Sequence, residues 1–143
     1  MLQILFVEDD ERIRDCLVSY LRLKGHRVLE AANGEQAVAM AGKGGFDLIM
    51  MDVKMPKLDG VSACEQIRAL VPGSRIVLMT GFHVAEELER VVRSGEVECL
   101  QKPLLTKDLD ALLARVEGGR DKSSAKTAAD GAGSPASEKS KGR

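Results

Sequence analysis

Five short strand-like runs, each followed by a segment of helical period, constrain this chain more than any other feature. The first run covers about residues 2–7 and is almost continuously apolar. Such a pattern suits a strand whose sheet is covered on both faces. A helix is expected over residues 10–24, with Ile13, Leu17, Tyr20 and Leu21 on one face and Cys16 beside them. Gly25 stops it. The second strand falls at residues 26–31. Asn33 reads as the cap of a second helix, with Gln36 three residues on, and Gly44-Gly45 end that helix.

The third strand is expected at residues 47–51, followed by a turn carrying Pro56 and Gly60. Val61, Cys64, Ile67 and Leu70 then mark a third helix, which Pro72-Gly73 closes. A fourth strand at 75–79 leads to a short helix at 84–93, with Leu88, Val91 and Val92 inward. A fifth strand spans 97–100. Thr106 reads as the cap of a last helix bearing Leu109, Leu112, Leu113 and Val116.

Alternating strands and helices imply right-handed crossovers and a parallel sheet. The expected fold class is α/β: a flavodoxin-like, doubly wound, five-stranded parallel sheet in the order 2-1-3-4-5, with five helices in a three-layer α/β/α sandwich. That order puts strands one and three side by side at the topological switch point, where ligands bind. Asp9 and Asp52 follow those two strands, and Thr80 and Lys102 follow the fourth and fifth. The topology therefore gathers all four at one sheet edge.

Composition narrows the classes. Residues 1–117 hold 15 Lys+Arg against 19 Asp+Glu, a net −4, and offer no basic face for nucleic acid. No apolar run nears the ~20 residues that cross a bilayer, and no secretory signal is visible. Cys16, Cys64 and Cys99 are odd in number and widely spaced, read as small core residues, Cys99 partly exposed, in a reducing cytoplasm. Residues 118–143 are rich in Gly, Ser, Ala and Lys, with 6 basic against 3 acidic residues. They are expected to form a disordered tail, a solvated linker or tether, after a domain at 1–117.

Glu8, Asp9 and Asp52 place three carboxylates together, which would raise one another's pKa unless a cation intervened. Magnesium suits such oxygen ligands. Asp9 and Asp52 are expected to bind it directly, Glu8 through water, and the backbone carbonyl of Lys54 to add a ligand where the chain turns back. Asp52 is the candidate nucleophile, able to form an aspartyl phosphate. Lys102 would neutralise phosphoryl charge, and the Thr80 hydroxyl would donate to a phosphoryl oxygen, with Gly81 leaving room. His26 and His83 lack metal-ligand spacing.

The segments ILFVEDDERIR, DLIMMDVKMPKLDG, IVLMTG and LQKP, in this order, resemble the receiver domain of bacterial two-component response regulators over residues 1–117. By that resemblance Glu8 and Asp9 are the acidic pair, Asp52 the phosphoacceptor, Thr80 the switch hydroxyl and Lys102 the lysine, with Pro103 a cis-forming proline. The resemblance implies a stand-alone, chemotaxis-regulator-like receiver, monomeric or weakly dimeric. It would take phosphate from a sensor histidine kinase or histidine phosphotransfer protein and signal by protein contact or phosphorelay. One position departs from the pattern. Cys99 stands where the family usually has a Tyr or Phe that rotates as a switch. Lys54 and Phe82 occupy positions that influence how water reaches the phosphoryl group. Two other readings are a receiver-like interaction module working without phosphate, and a small magnesium-dependent aspartyl phosphohydrolase. The latter commonly needs an acid where Lys54 stands.

Overall fold

The computed structural model describes residues 1–81, 86–93 and 97–130. Five strands, β1 (Gln3–Val7), β2 (Arg27–Ala31), β3 (Leu48–Asp52), β4 (Ile76–Thr80) and β5 (Val97–Gln101), alternate with helices α1 (Glu11–Leu23), α2 (Gly34–Ala41), α3 (Gly60–Leu70), α4 (Glu86–Arg93) and α5 (Thr106–Asp130). Every pairing is parallel and the sheet order is β2-β1-β3-β4-β5. This is the flavodoxin-like order expected from the alternation of runs. The chain divides into two compact units, Met1–Leu104 and Leu105–Arg143. No helix among the described residues is long and apolar enough to cross a membrane.

Strand alternation builds the core of the first unit. Leu5, Val7, Ile49, Met51, Ile76 and Leu78 face one way and join Ala37 and Ala41 of α2, Ala63, Cys64 and Ile67 of α3, and Val91 of α4 in one buried cluster. Ile4, Phe6, Leu48, Met50, Val77 and Met79 alternate with them and are equally buried. Both faces of the central strands are thus covered, which is why their sequence shows no polar alternation.

Caps fix where the helices begin. Asp10 Oδ1 accepts from the backbone N–H groups of Arg12 (3.0 Å) and Ile13 (3.3 Å). Asn33 Oδ1 accepts from Gln36 N at 2.9 Å, and Gln36 Oε1 reaches back to Ala32 N at 2.8 Å. Asp59 Oδ1 accepts from Ser62 N at 2.8 Å.

Several expectations need correction. In α1 the buried residues are Val18 and Leu21, while Ile13 is 41% exposed. The inward stripe is rotated toward Arg14, whose long side chain is largely buried. Cys16 is exposed, so it is not a core residue; Cys64 is buried and Cys99 half-buried. Thr106 is the first helical residue of α5 and not its cap; Asp108 Oδ2 accepts from Leu105 N at 3.1 Å. Helix α5 spans Thr106–Asp130. Phe82, His83, residues 84–85, the Leu88 side chain and residues 131–143 lie outside the described residues.

Candidate functional site

The carboxyl ends of β1, β3, β4 and β5 converge because the strands are parallel and in register. Val7 pairs with Met51, Asp52 with Met79, and Thr80 with Gln101. Glu8 and Asp9 follow β1 directly, Asp52 ends β3, Thr80 ends β4, and Lys102 follows β5. The Lys102 N–H donates to the Thr80 carbonyl at 2.8 Å, extending the β4–β5 ladder by one bond. The Lys102–Pro103 peptide bond is cis, as the resemblance implies.

At the centre, Lys102 Nζ donates to Glu8 Oε1 at 2.8 Å and to Asp52 Oδ2 at 3.0 Å. Glu8 is 1% exposed and Asp52 7%. Buried charges of this kind persist only when paired and hydrogen-bonded. The second Glu8 oxygen accepts from Asp10 N at 3.2 Å. Oxygens of Glu8, Asp9 and Asp52 all lie within 4.8 Å of one another. Three carboxylates face one bonded ammonium, so the cluster carries excess negative charge.

Electrostatics follow from this crowding. Partial burial raises the Asp9 carboxyl above its usual value of 3.8, and its hydrogen bond and repulsion with Glu8 add to the shift. Burial works against the Lys102 ammonium, but its bonds to Glu8 and Asp52 outweigh that, and its pKa is raised. Burial likewise raises the Cys99 thiol, leaving it a protonated, unreactive group at neutral pH.

A raised Asp9 means that the folded state binds that proton more tightly than the unfolded chain. Stability therefore falls as pH climbs from 3.8 through the raised value. Asp9→Asn should stabilise the metal-free protein at pH 7, by less than about 1 kcal/mol given its exposure. The gain should vanish below pH 3.8. Thermal melts at pH 3.5 and 7 check this; equal shifts at both would refute it.

The donor set tests the site for a metal. Oxygen-only ligands, clustered and under-neutralised, suit magnesium, calcium or manganese and not zinc. Lys54 lies two residues beyond Asp52 in the exposed turn before α3. Thr80 is 9% exposed at the end of β4. Cys99 pairs with Leu78 and packs against the core cluster, on the sheet face that carries Thr80 in the strand alternation. Beside the acidic cluster, Ile13, Cys16, Leu17, Pro103 and Leu104 line an open, mostly apolar hollow of about 720 Å³.

Two contributions were not anticipated from sequence. Arg14 Nη1 donates to the Glu8 carbonyl at 2.8 Å. Gly34 and Gly60 are needed for contact: a Cβ on Gly60 would meet the Asp52 carbonyl oxygen, and one on Gly34 the Leu58 carbonyl oxygen. The motif spacing signals neither.

A transcriptional regulatory protein, ZraR of Salmonella typhimurium, is 34% identical over 116 residues, 81% of this chain and 26% of its own length. A cyclic di-GMP phosphodiesterase of Thermotoga maritima is 31% identical over 103 residues, 72% of this chain and 27% of its own. The chain thus spans about a quarter of these relatives. Among solved structures, the receiver domain of a sensor histidine kinase from Pseudomonas aeruginosa, with a magnesium ion coordinated in its active-site cleft, is 35% identical. It aligns with a TM-score of 0.72 over 82% of this chain and 98% of that one. The family model described as the response regulator receiver domain matches residues 4–116, and this chain belongs to that family.

Proposed function

We propose that this chain is a phosphoacceptor in two-component signalling: Asp52 takes a phosphoryl group from a phosphohistidine. The observation that carries this reading is Lys102 Nζ, bonded at once to Glu8 (2.8 Å) and Asp52 (3.0 Å) with Asp9 alongside. An Asp52 oxygen forms the new O–P bond as the donor's N–P bond breaks. The electron pair stays on the imidazole nitrogen, which takes a proton from water. Lys102 turns its ammonium to the incoming phosphoryl oxygens, and the Thr80 hydroxyl donates to one of them.

Asp9, Asp52 and the Lys54 carbonyl would hold a magnesium ion. Both Glu8 oxygens are already engaged, which suits an indirect role through water. When bound, the ion would supply further charge neutralisation for the phosphoryl group. The hollow lined by Ile13, Leu17 and Leu104 gives a donor protein an apolar surface beside Lys102. The donor would be a sensor histidine kinase or histidine phosphotransfer protein in the cytoplasm. The phosphorylated form would act through protein contact or phosphorelay. This chemistry modifies the protein itself and turns over no external substrate.

Cys99 favours a second reading, an interaction module independent of phosphate, because a thiol cannot make the ring rotation of the family's switch. One experiment separates the two. The protein is incubated with a small phosphodonor, with and without magnesium, and its intact mass and peptide map are recorded. A single magnesium-dependent, hydroxylamine-labile adduct on the peptide containing Asp52 is expected. No adduct, or one on another peptide, defeats the phosphoacceptor reading.

A further inference from the structure

The loop that presents Glu8 and Asp9 is held from behind. Glu8 is the first residue past β1. Its N–H still pairs with Ala31 of β2 at 3.1 Å, but its carbonyl has left the ladder. Arg14, a turn into α1, bonds that carbonyl through Nη1 at 2.8 Å. The same guanidinium donates through Nε to Glu30 Oε1 of β2 at 3.2 Å. Glu30 in turn pairs with Arg22 Nη2 at 3.4 Å, and Arg22 Nη2 donates to the Val28 carbonyl at 2.8 Å. The ladder thus runs from the end of β1 across α1 to the edge strand.

The rungs differ in burial. The Arg14 side chain is 16% exposed, Glu30 33% and Arg22 52%. A guanidinium held this deep, with its fork divided between a carboxylate and one backbone carbonyl, has a fixed geometry. We propose that Arg14 is a positioning residue for the acidic cluster. By clamping the Glu8 carbonyl against β2 it aims the Glu8 carboxylate at Lys102, and so keeps Lys102 over Asp52.

The reason lies in the bonds available to Glu8. Its carboxylate is fixed at both oxygens, to Lys102 Nζ and Asp10 N. The Asp10 bond spans the Glu8–Asp9 peptide unit, and the carbonyl of that unit is the atom Arg14 holds. Release of the carbonyl frees the unit to turn, which shifts Asp9 and the Asp10 N–H relative to Glu8 and loosens the Glu8 carboxylate that the Asp10 N–H steadies. Arg14 touches no reacting atom and acts through Glu8. A purely structural role would stabilise the α1–β2 contact and leave the carboxylates where they are.

The inference rests on the phosphoacceptor reading only for its functional consequence, and the test separates the two. The chain has no tryptophan, so backbone amide resonances at fixed pH serve as reporters. The Asp10 amide, bonded to Glu8 Oε2, needs no metal and no phosphate. In Arg14→Met that resonance should move toward its unbonded position, and magnesium affinity, read from the same spectra, should weaken roughly tenfold, the usual effect of losing a support behind a metal ligand. Arg22→Met breaks the outer rung and should leave both readouts within about twofold of wild type on the same scale. Arg14→Lys keeps one donor and should recover part of the shift. If Arg14→Met does not fold, Arg14→Lys and Glu30→Gln carry the same comparison. A lower melting temperature with an unmoved Asp10 amide and unchanged magnesium affinity would overturn the proposal. A wild type that neither binds magnesium nor accepts phosphate defeats the phosphoacceptor reading, while the Asp10 amide still decides the role of Arg14.

Discussion

Lys102→Met is expected to slow phosphorylation of Asp52 from a small phosphodonor by about 100-fold or more, the usual effect of removing a donor aimed at developing negative charge. It is also expected to destabilise the metal-free protein. Glu8 and Asp52 are 1% and 7% exposed, and the variant strands both without their cation. Breaking a fully buried pair costs about 3–5 kcal/mol; Lys102 is 25% exposed, so about 1–3 kcal/mol is expected at pH 7. Magnesium should return part of that loss, since it neutralises the same carboxylates.

The pH dependence has a definite sign. The raised pKa of Lys102 means its contribution is complete below 10.5 and disappears as pH rises through the raised value. Wild type and variant should therefore converge in strong alkali. Asp52→Asn makes the opposite comparison: no adduct forms, yet removing one carboxylate from a crowded cluster should leave stability equal or higher. Urea melts beside phosphorylation rates measure both. A Lys102→Met protein as stable as wild type at pH 7 would mean the ion pairs contribute nothing, and a rate within threefold of wild type would remove Lys102 from the chemistry.

The strand order and the convergence of Glu8, Asp9, Asp52 and Lys102 were legible because they depend on chain-level patterning. Continuous apolar runs mark buried strands, and the parallel topology then dictates which strand ends meet. Thr80 was placed by the same logic. The orientation of α1 was not legible. Ile13, Leu17, Tyr20 and Leu21 share a face at helical spacing, yet Val18 and Leu21 are the buried pair. Arg14 occupies the inward edge of that face, where its guanidinium bonds the Glu8 carbonyl, and hydrophobic periodicity counts arginine as outward. Cys16 misled for the converse reason: a small apolar side chain beside an apolar stripe reads as core, but the true stripe is turned away from it. Gly60 was legible only as a turn former, since close approach between backbones leaves no mark on composition.

That close approach underlies the largest stability effect expected. Gly60 donates its N–H to the Val53 carbonyl at 2.8 Å, folding the chain after Asp52 tightly back on itself. A Cβ there would press on the Asp52 carbonyl oxygen and the Val53 Cα, both backbone atoms of a strand end held on either side. Neither can retreat like a flexible side chain. Gly60→Ala should cost about 3 kcal/mol, the upper part of the range for overpacking a tight site. Gly34→Ala should cost a similar amount, because its Cβ would meet the Leu58 carbonyl, where α2 abuts the β3–α3 turn. Gly44→Ala is the control: its φ is +79°, but nothing lies within 4 Å of the added carbon, so only the left-handed backbone penalty of about 1–2 kcal/mol remains. Gly60→Ala also has a functional consequence that Gly34→Ala lacks. The atom it displaces belongs to Asp52 itself, so the phosphorylation rate should fall further than stability explains. Urea midpoints for the three variants, with phosphorylation measured where each is fully folded, decide the matter. A Gly60→Ala protein no less stable than Gly44→Ala would mean that the turn after Asp52 yields freely, and that the position of the Asp52 carboxylate is fixed by Lys102 alone.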